Sequence, residues 1–406
     1  MAQGGATDPR LPARQPWAPG VDGGVSGVPT VTAPFSVDLR AARAPSAGEG
    51  WTFACKEMFD VAGHPATCGH PRFAALRGSR PTSAVVSHFQ AAGAVLLGKT
   101  IQSELAFSSL GESRFYPVPV NPRWPGRVPG GSSSGCAAAV ASGSVSFSLA
   151  TDSAGSARIP AACCGVLGLS LGASGAWLRD AVVLSPTCDQ LGVLAPDHAS
   201  LRRAVERLID LTEASHPPRV VVPEDLVAAH CSRGVARRFG RVVGRLRAEG
   251  VAVEACDSAA LMESERVQRR EGVLVLAEIA MSLADFLREV EDVSPAVRGR
   301  LAPYLGWSDA RVDELRSRVL APLVAFRQRE DAPLLLPTLP VPPPKLGAPA
   351  ALGSLTKFAN LLSESSISVP TPEVGCSVML MADRPAELLA FSRLLASMRR
   401  RTGVEA

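Results

Sequence analysis

The sequence predicts an α/β fold with a central mixed β-sheet covered by helices. One observation is the stretch of residues 129–170, where a small-residue helix, an alternating apolar run, a tight turn, a short helix and another apolar run follow one another. Strand, tight turn, helix and strand in this order is typical of α/β proteins. A second observation is composition, because 46% hydrophobic and 20% charged residues over 406 positions indicate a globular chain with a sizeable core.

The predicted elements follow from local patterns along the chain. Residues 1–33 are dense in glycine and proline, so we expect a flexible arm followed by a single domain over residues 34–406. The apolar run 53–55 predicts a strand that ends at Lys56. Further predictions, in chain order, are a helix at 85–92, a strand at 94–97, a helix at 134–142, a strand at 145–149, a helix at 159–164, strands at 166–169 and 219–222, a helix at 235–249, a strand at 251–254, mainly helix over 262–330, strands at 334–336 and 376–381, and a closing helix at 385–401.

One sequence motif matches a nucleotide-binding pattern but does not fit its predicted local structure. Residues 93–100 match the phosphate-binding pattern GxxxxGK[ST], which needs a loop whose backbone N–H groups can surround phosphates. The residues between the two glycines are Ala-Val-Leu-Leu, and these favour a buried strand. We therefore expect no nucleotide site in this segment.

Composition argues against several classes of function. The formal charge of +4 is small and no basic block dominates, so nucleic acid is not expected as a partner. Nine cysteines without a CxxC pair suit a reducing compartment, which predicts a cytoplasmic protein. No stretch approaches the ~18 apolar residues of a membrane span, and no secretion signal is visible. His64, Cys68 and His70 lack a fourth ligand, so neither a metal nor another cofactor is expected.

Two serine-rich, glycine-flanked turns, around Ser132 and Ser156, indicate hydrolase chemistry. A serine hydroxyl needs a base to become a good nucleophile. None of the six histidines lies in a setting that resembles a triad, and no GxSxG elbow occurs. A lysine can act as the base if burial keeps it neutral, and Lys56 at the end of an apolar strand fits this need. From the residues alone, composition favours the alternative that Lys56 is a surface lysine that follows a strand.

The segment GGSSSG…ATDSAGSARIPAACCGVLGL resembles the amidase signature family, whose pattern runs approximately GGSSxG…TDxGGSxRxPA…GxxG. The stretches CKEMFDVAGHPATCG, GAVLLGKT and VNPRWPGRVPGGSSSG match the family as well, so the resemblance covers most of the chain. Within the family, FDVAGH and PTLPVPPP make the chain most similar to short amidases of the indole-3-acetamide hydrolase type.

The resemblance implies site residues. Ser156 takes the position of the nucleophile, Ser132 that of a bridging serine in a cis peptide, and Lys56 that of the base. The backbone N–H groups of the nucleophile turn would form the oxyanion hole, and a short segment before the first turn would bind substrate. The implied oxyanion residues are Ser153, Ala154 and Gly155 together with Ser156, and the implied substrate-binding residues are Ala106, Phe107, Ser108 and Gly131.

The chain also departs from the family pattern. Ala154 replaces the first glycine of the usual GGS and adds a methyl group beside the oxyanion loop. Residues 170–172 are Ser-Leu-Gly where the family usually has Lys/Arg-Pro-Ser/Thr, and we expect this change to reshape the floor of the pocket.

The resemblance implies an enzyme that hydrolyses a small carboxylic amide, such as an aryl-acetamide, to an acid and ammonia or an amine. It allows a homodimer. Three alternatives stay open at this point. The first is a biosynthetic amidase or acyltransferase that passes the same acyl group to an amine. The second is a subunit similar to the amidase subunit of a tRNA amidotransferase. The third is a catalytically dead homologue that serves as a binding or scaffold protein.

Overall fold

The computed structural model of the protein describes residues 34–40, 50–172, 174–371 and 376–401. The predicted N-terminal arm over residues 1–33 lies outside these ranges. The described strands are β1 (Phe35–Asp38), β2 (Thr52–Lys56), β3 (Val95–Thr100), β4 (Phe147–Asp152), β5 (Leu167–Leu171), β6 (Gln190–Ala195), β7 (Arg219–Val222), β8 (Ala252–Ala255), β9 (Leu334–Pro337), β10 (Ser365–Pro370) and β11 (Ser377–Ala382).

All these strands belong to one mixed sheet in the order β1-β3-β2-β4-β6-β5-β10-β11-β9-β7-β8. β2 runs parallel to both β3 and β4, and β7 runs parallel to β8 and β9. The centre of the sheet, from β4 through β6, β5, β10 and β11 to β9, is antiparallel. The predicted α/β fold with a mixed sheet is confirmed.

The described helices are α1 (Pro71–Arg77), α2 (Ala84–Ala91), α3 (Ser134–Ala141), α4 (Arg158–Cys164), α5 (Gly175–Leu178), α6 (His198–Val205), α7 (Glu224–His230), α8 (Arg233–Ala248), α9 (Ala259–Glu271), α10 (Leu274–Ser282), α11 (Ala284–Glu289), α12 (Pro295–Leu301), α13 (Asp309–Arg329), α14 (Lys357–Leu361) and α15 (Pro385–Arg401). In the ranges given above, none of these helices has both the length and the apolarity needed to cross a bilayer.

Helices cover both faces of the sheet. Successive residues of a strand point to opposite faces, and Phe53 and Ala54 of β2 accordingly belong to two different core clusters. The cluster on the Phe53 side is rich in large side chains, including Phe89 of α2, whose ring centroid lies 5.8 Å from that of Phe53. The cluster on the Ala54 side is rich in small residues, many of them from α3 and α4. One face is therefore packed by bulky side chains and the other by close backbone approach.

The small-residue face brings α4 very near the sheet. A β-carbon added at Gly192 of β6 would lie 2.6 Å from the β-carbon of Ala157, just before α4. Cores pack at the density of organic crystals, so there is no space for a larger residue at this point. This close packing holds the first turn of α4, and with it the serine turn that precedes α4, against the sheet.

Most elements around the serine turns match their predictions. The predicted helix at 134–142 is α3, the strand after it is β4, and the helix at 159–164 is α4. The phosphate-loop match forms β3, where Lys99 is fully buried with its Nζ 2.9 Å from Glu57 Oε2, so the strand prediction is confirmed. β6 and β10 were not predicted. The sequence of β10 is polar, because three of its six residues are serines. The buried hydroxyl of Ser368 is satisfied by a 2.9 Å hydrogen bond with Thr338 Oγ1.

Candidate active site

Lys56 is the last residue of β2, and its side chain is completely buried. β2 and β4 are parallel neighbours, so their carboxyl ends meet at the same edge of the sheet. Lys56 Nζ there donates to Thr151 Oγ1 of β4 at 2.9 Å and to Ser132 Oγ at 2.8 Å. The alternative of a surface lysine is wrong. Thr151 was not predicted as a contact of Lys56, because only the pairing of β2 with β4 brings these two residues together.

Burial lowers the pKa of the Lys56 ammonium from 10.5 to about 8. Removing an ammonium from water disfavours its charged form, and the neighbouring groups only partly offset this effect. A lysine with a pKa near 8 is neutral in an appreciable fraction of molecules at neutral pH, and the neutral amine can accept a proton.

Ser132 is buried in the turn that precedes α3. The peptide bond between Gly131 and Ser132 is cis, as the resemblance implied. Two backbone hydrogen bonds connect this turn to the segment before it, from Gly131 N to Ser109 O at 2.8 Å and from Ser103 N to Ser132 O at 3.2 Å. The first serine turn is thus joined to the segment predicted to bind substrate.

The second serine turn is organised by Asp152, the last residue of β4. Its carboxylate accepts hydrogen bonds from Gly155 N at 2.7 Å and Ala157 N at 3.0 Å, and it forms a completely buried ion pair with Arg158 at 2.8 Å. Burial works against the charge of Asp152, but the guanidinium and the hydrogen bonds outweigh it and lower the pKa to about 2. Asp152 is therefore an anion that shapes the turn rather than a proton acceptor.

This arrangement corrects the predicted role of Gly155. Its N–H donates to Asp152, so it is not available to an oxyanion in this structure. In the described part of the chain, no group accepts a hydrogen bond from the N–H of Ser153, Ala154 or Ser156. Gly155 has another function, because its φ is +116° and an added β-carbon would lie 2.2 Å from Thr356 Oγ1. Only glycine lets the backbone take this course.

Replacing Arg158 by methionine is expected to lower the free energy of unfolding by about 3–5 kcal/mol, because Asp152 would stay buried without its cation. Chemical denaturation at pH 7 measures this effect. The matched control is Arg202→Met, which removes a surface pair with Glu206 and should cost about 0.5 kcal/mol or less. Equal losses in the two variants would contradict the assigned role of the buried pair.

The two serine turns open onto a cavity of about 440 Å³, and Ser156 lies in its wall. Ser133 N donates to Ser156 O at 3.2 Å, which connects the two turns directly. The hydroxyl of Ser156 has no hydrogen-bond partner among the described residues, and Ser156 lines the cavity. The predicted residues Ser153, Ala154, Ala106, Phe107, Ser108 and Gly131 all line the same cavity.

The backbone around the predicted substrate-binding segment is unusual. Leu105 and Ala106 have φ values of +48° and +60°, in a region that few residues other than glycine adopt. Such conformations persist where the surroundings hold them, and they concentrate at binding sites. Here they turn Ala106 and Phe107 towards the cavity.

Much of the cavity wall was missed by the sequence analysis. It comes from α9, α10 and a residue between them, from α12, from the segment before α14 and from α14 itself. These residues are Gln268, Val273, Val275, Leu276, Ile279, Arg300, Ala350, Ala351, Leu352, Gly353, Ser354, Lys357 and Leu361. Their helical patterns were visible in the sequence. Nothing in those patterns says which helix face meets the serine turns.

The expectation for residues 170–172 is wrong. Ser170 and Leu171 lie in β5 and pair with β6, and Ser170 also pairs with β10. Ser170 Oγ donates to Gln190 Oε1 at 2.6 Å, and none of the three residues lines the cavity. This departure from the family pattern is accommodated inside the sheet and leaves the pocket floor to other residues.

Comparisons with known proteins find similar sequences and structures. A family model described as Amidase matches residues 41–384. Amidase 1 from Oryza sativa subsp. japonica is 32% identical over 362 residues, which cover 79% of this chain and 83% of that protein. Translocon at the outer membrane of chloroplasts 64 from Pisum sativum is 30% identical, over 80% of this chain and 60% of that protein. A solved structure described as "Crystal structure of amidase" has a TM-score of 0.75 at 27% identity and covers 89% of this chain and 87% of its own.

Proposed function

Since this chain belongs to the amidase signature family of enzymes, we propose that it hydrolyses amides of small carboxylic acids. The proposed substrates are aryl-acetamides such as indole-3-acetamide, and the products are the acid and ammonia or an amine. The reaction passes through an ester between the acyl group and Ser156 Oγ. Lys56 is the base, and Ser132 transfers the proton between Ser156 and Lys56.

One observation carries this proposal. Lys56 Nζ lies 2.8 Å from Ser132 Oγ in a fully buried position, and none of the described carboxylates forms an ion pair with it. A buried lysine without a counter-ion is costly, and its lowered pKa is the property that a general base needs. A backbone hydrogen bond connects the turn that contains Ser132 to the turn that contains Ser156, and Ser156 lines the cavity.

The steps of the first half-reaction follow from this order. Neutral Lys56 takes the proton of Ser132 Oγ, which takes the proton of Ser156 Oγ as this atom attacks the amide carbonyl carbon. The carbonyl oxygen becomes an oxyanion, and the free N–H groups of Ser153, Ala154 and Ser156 are the proposed donors to it. The C–N bond then breaks, and the proton returns from Lys56 through Ser132 to the leaving nitrogen.

The second half-reaction repeats the relay with water. A water molecule gives its proton through Ser132 to Lys56 and attacks the carbonyl carbon of the ester. The bond to Ser156 Oγ breaks, the proton returns to that oxygen, and the carboxylic acid leaves. The enzyme is then in its initial protonation state, so the cycle needs no cofactor.

The cavity lining supports amides of apolar acids over glutamine. Most of the wall is aliphatic or aromatic, and no aspartate or glutamate is among the lining residues. An α-amino acid substrate would bring an ammonium group into this space, and a buried cation needs an anionic partner. The amidotransferase-like alternative therefore has no support from the cavity.

Mass spectrometry of the products tests the proposal. Indole-3-acetamide, phenylacetamide and glutamine are incubated with the enzyme, and acid and ammonia are quantified with and without hydroxylamine. We expect equal amounts of acid and ammonia from the aryl-acetamides, and a hydroxamate when hydroxylamine intercepts the acyl-enzyme. Absence of ammonia from every amide would contradict the proposal. Product formation only when an amine is present would favour acyl transfer instead.

A further inference from the structure

Gln268 lies on α9 and lines the cavity, and the residue is buried, with 7% of its surface exposed. Its Nε2 is buried and has no hydrogen-bond partner among the described residues, whereas its Oε1 is accessible and accepts a hydrogen bond from none of them. A carboxamide supplies donors and an acceptor, and leaving these unused in a buried place costs free energy. The acceptor Oε1 is therefore the hydrogen-bonding atom that Gln268 offers to a molecule in the cavity.

The surroundings of Gln268 are uncharged on balance. Glu265, one helical turn earlier on α9, forms an ion pair with Lys357 at 2.7 Å and receives His230 Nε2 at 3.0 Å. The ammonium of Lys357, although it lines the cavity, is thereby compensated. Arg300 is exposed and lies over the Phe107 ring, with Cζ 5.0 Å from the ring centroid. Among the described residues that line it, the interior of the cavity thus holds no uncompensated charge for a substrate to meet.

The remaining interior wall is predominantly apolar. Val273, Leu276 and Ile279 continue from Gln268 along the end of α9 and into α10. Ser354, on the segment before α14, has an Oγ that is also buried without a partner in the described chain. An uncharged polar group is therefore set within apolar surroundings, as in a pocket that orients a mainly apolar ligand by a few hydrogen bonds.

We propose that Gln268 determines substrate specificity by hydrogen bonding to an uncharged polar group in the acid part of the substrate. The substrate class is then an amide whose acid part is mainly apolar and carries one such group, for example a ring N–H or a hydroxyl that donates to Gln268 Oε1. This inference rests on the proposed amide hydrolysis at Ser156. Sites that hydrogen-bond a substrate group discriminate strongly against analogues that lack it, because their own polar atoms are then left unpaired.

The test compares matched pairs of amides on the same enzyme preparation. One pair is indole-3-acetamide and naphthalene-1-acetamide, and the other is 4-hydroxyphenylacetamide and 4-methylphenylacetamide. For the wild type we expect the polar member of at least one pair to have a kcat/KM about tenfold to hundredfold higher. In Gln268→Met, which nearly conserves the side-chain volume, this ratio should fall to within about threefold of unity.

The ratio within a pair is independent of how much of a preparation is folded, so a loss of stability in Gln268→Met does not obscure the result. Gln328→Met is the control, because Gln328 is exposed on α13 and should leave both ratios as in the wild type. An unchanged preference in Gln268→Met would overturn the inference, and so would a wild type without preference in either pair. If the proposed function itself fails, the wild type releases no ammonia from any of the four amides, and both proposals fall together.

Discussion

Ser156→Ala is expected to lower amide hydrolysis by about 10⁴-fold or more and to abolish covalent labelling by a fluorophosphonate. The variant lacks the oxygen that forms the ester with the acyl group. Ser132 and Ser133 are buried and hydrogen-bonded elsewhere, so neither can replace that oxygen. The remaining activity would come from binding and from the oxyanion donors alone. Rates of acid release and the mass of the labelled protein measure the two effects.

The stability of Ser156→Ala should stay within about 0.5 kcal/mol of the wild type, because the hydroxyl has no hydrogen-bond partner in the described chain. Ser148→Ala is the matched control. Ser148 is a buried serine on β4 whose Oγ donates to Cys136 O at 3.4 Å, and it does not line the cavity. We expect this control to retain activity and labelling. Undiminished labelling of Ser156→Ala would assign the nucleophile to another residue.

Lys56→Met is expected to abolish turnover while increasing the stability of the fold at neutral pH. In the wild type, kcat/KM should rise with pH and level off above about pH 8, where Lys56 has lost its proton. The variant has no amine that could accept the proton of Ser132. A pH–rate profile of the wild type without this rising limb would contradict the role of Lys56 as the base.

The effect on stability follows from the same lowered pKa. Lys56 has a pKa of 10.5 in the unfolded chain and of about 8 in the folded chain, so the folded chain releases the proton at a lower pH. Between these values the unfolded state binds more protons, so the stability of the wild type increases with pH through this window. Below pH 8 the fold bears a cost of about 3 kcal/mol for the buried ammonium.

Urea denaturation of wild type and Lys56→Met at pH 7 and pH 9.5 separates this contribution. From pH 7 to pH 9.5, the free energy of unfolding of the wild type should rise by about 2 kcal/mol relative to that of Lys56→Met. Lys99→Met provides the contrast, because Lys99 is also fully buried but is paired with Glu57 at 2.9 Å. Removing that cation should destabilise the fold by about 3–5 kcal/mol. A pH-independent difference for Lys56→Met would contradict a lowered pKa of Lys56.

Local patterns were enough to predict the elements that carry the serine turns. β2, β4 and α4 were recognised from apolar runs, alternation and small-residue segments, because these periods depend only on neighbours in the chain. The strand nature of residues 95–100 was visible for the same reason, against a phosphate-loop match. β6 was missed, since its few residues show no alternation and its burial on both faces is a property of the assembled sheet.

The cavity could not be predicted in the same way. Its far wall is formed by α9, α10 and the segment before α14, more than 100 positions after Ser156. An amphipathic pattern shows that a helix buries one face but not which partner it meets. The free carboxamide of Gln268 became apparent only when the neighbours of that helix were known.

The sequence by itself determined the α/β class and the two serine turns, and through the family resemblance it predicted Lys56, Ser132 and Ser156 as the catalytic residues. Only the tertiary structure decided how these residues can act. Parallel pairing of β2 with β4 buries Lys56 beside Ser132 and lowers its pKa, and the carboxylate of Asp152 engages the N–H of Gly155. The physical reason is that burial, pKa and hydrogen-bond availability depend on groups distant in sequence, whereas strand and turn formation depend largely on neighbours.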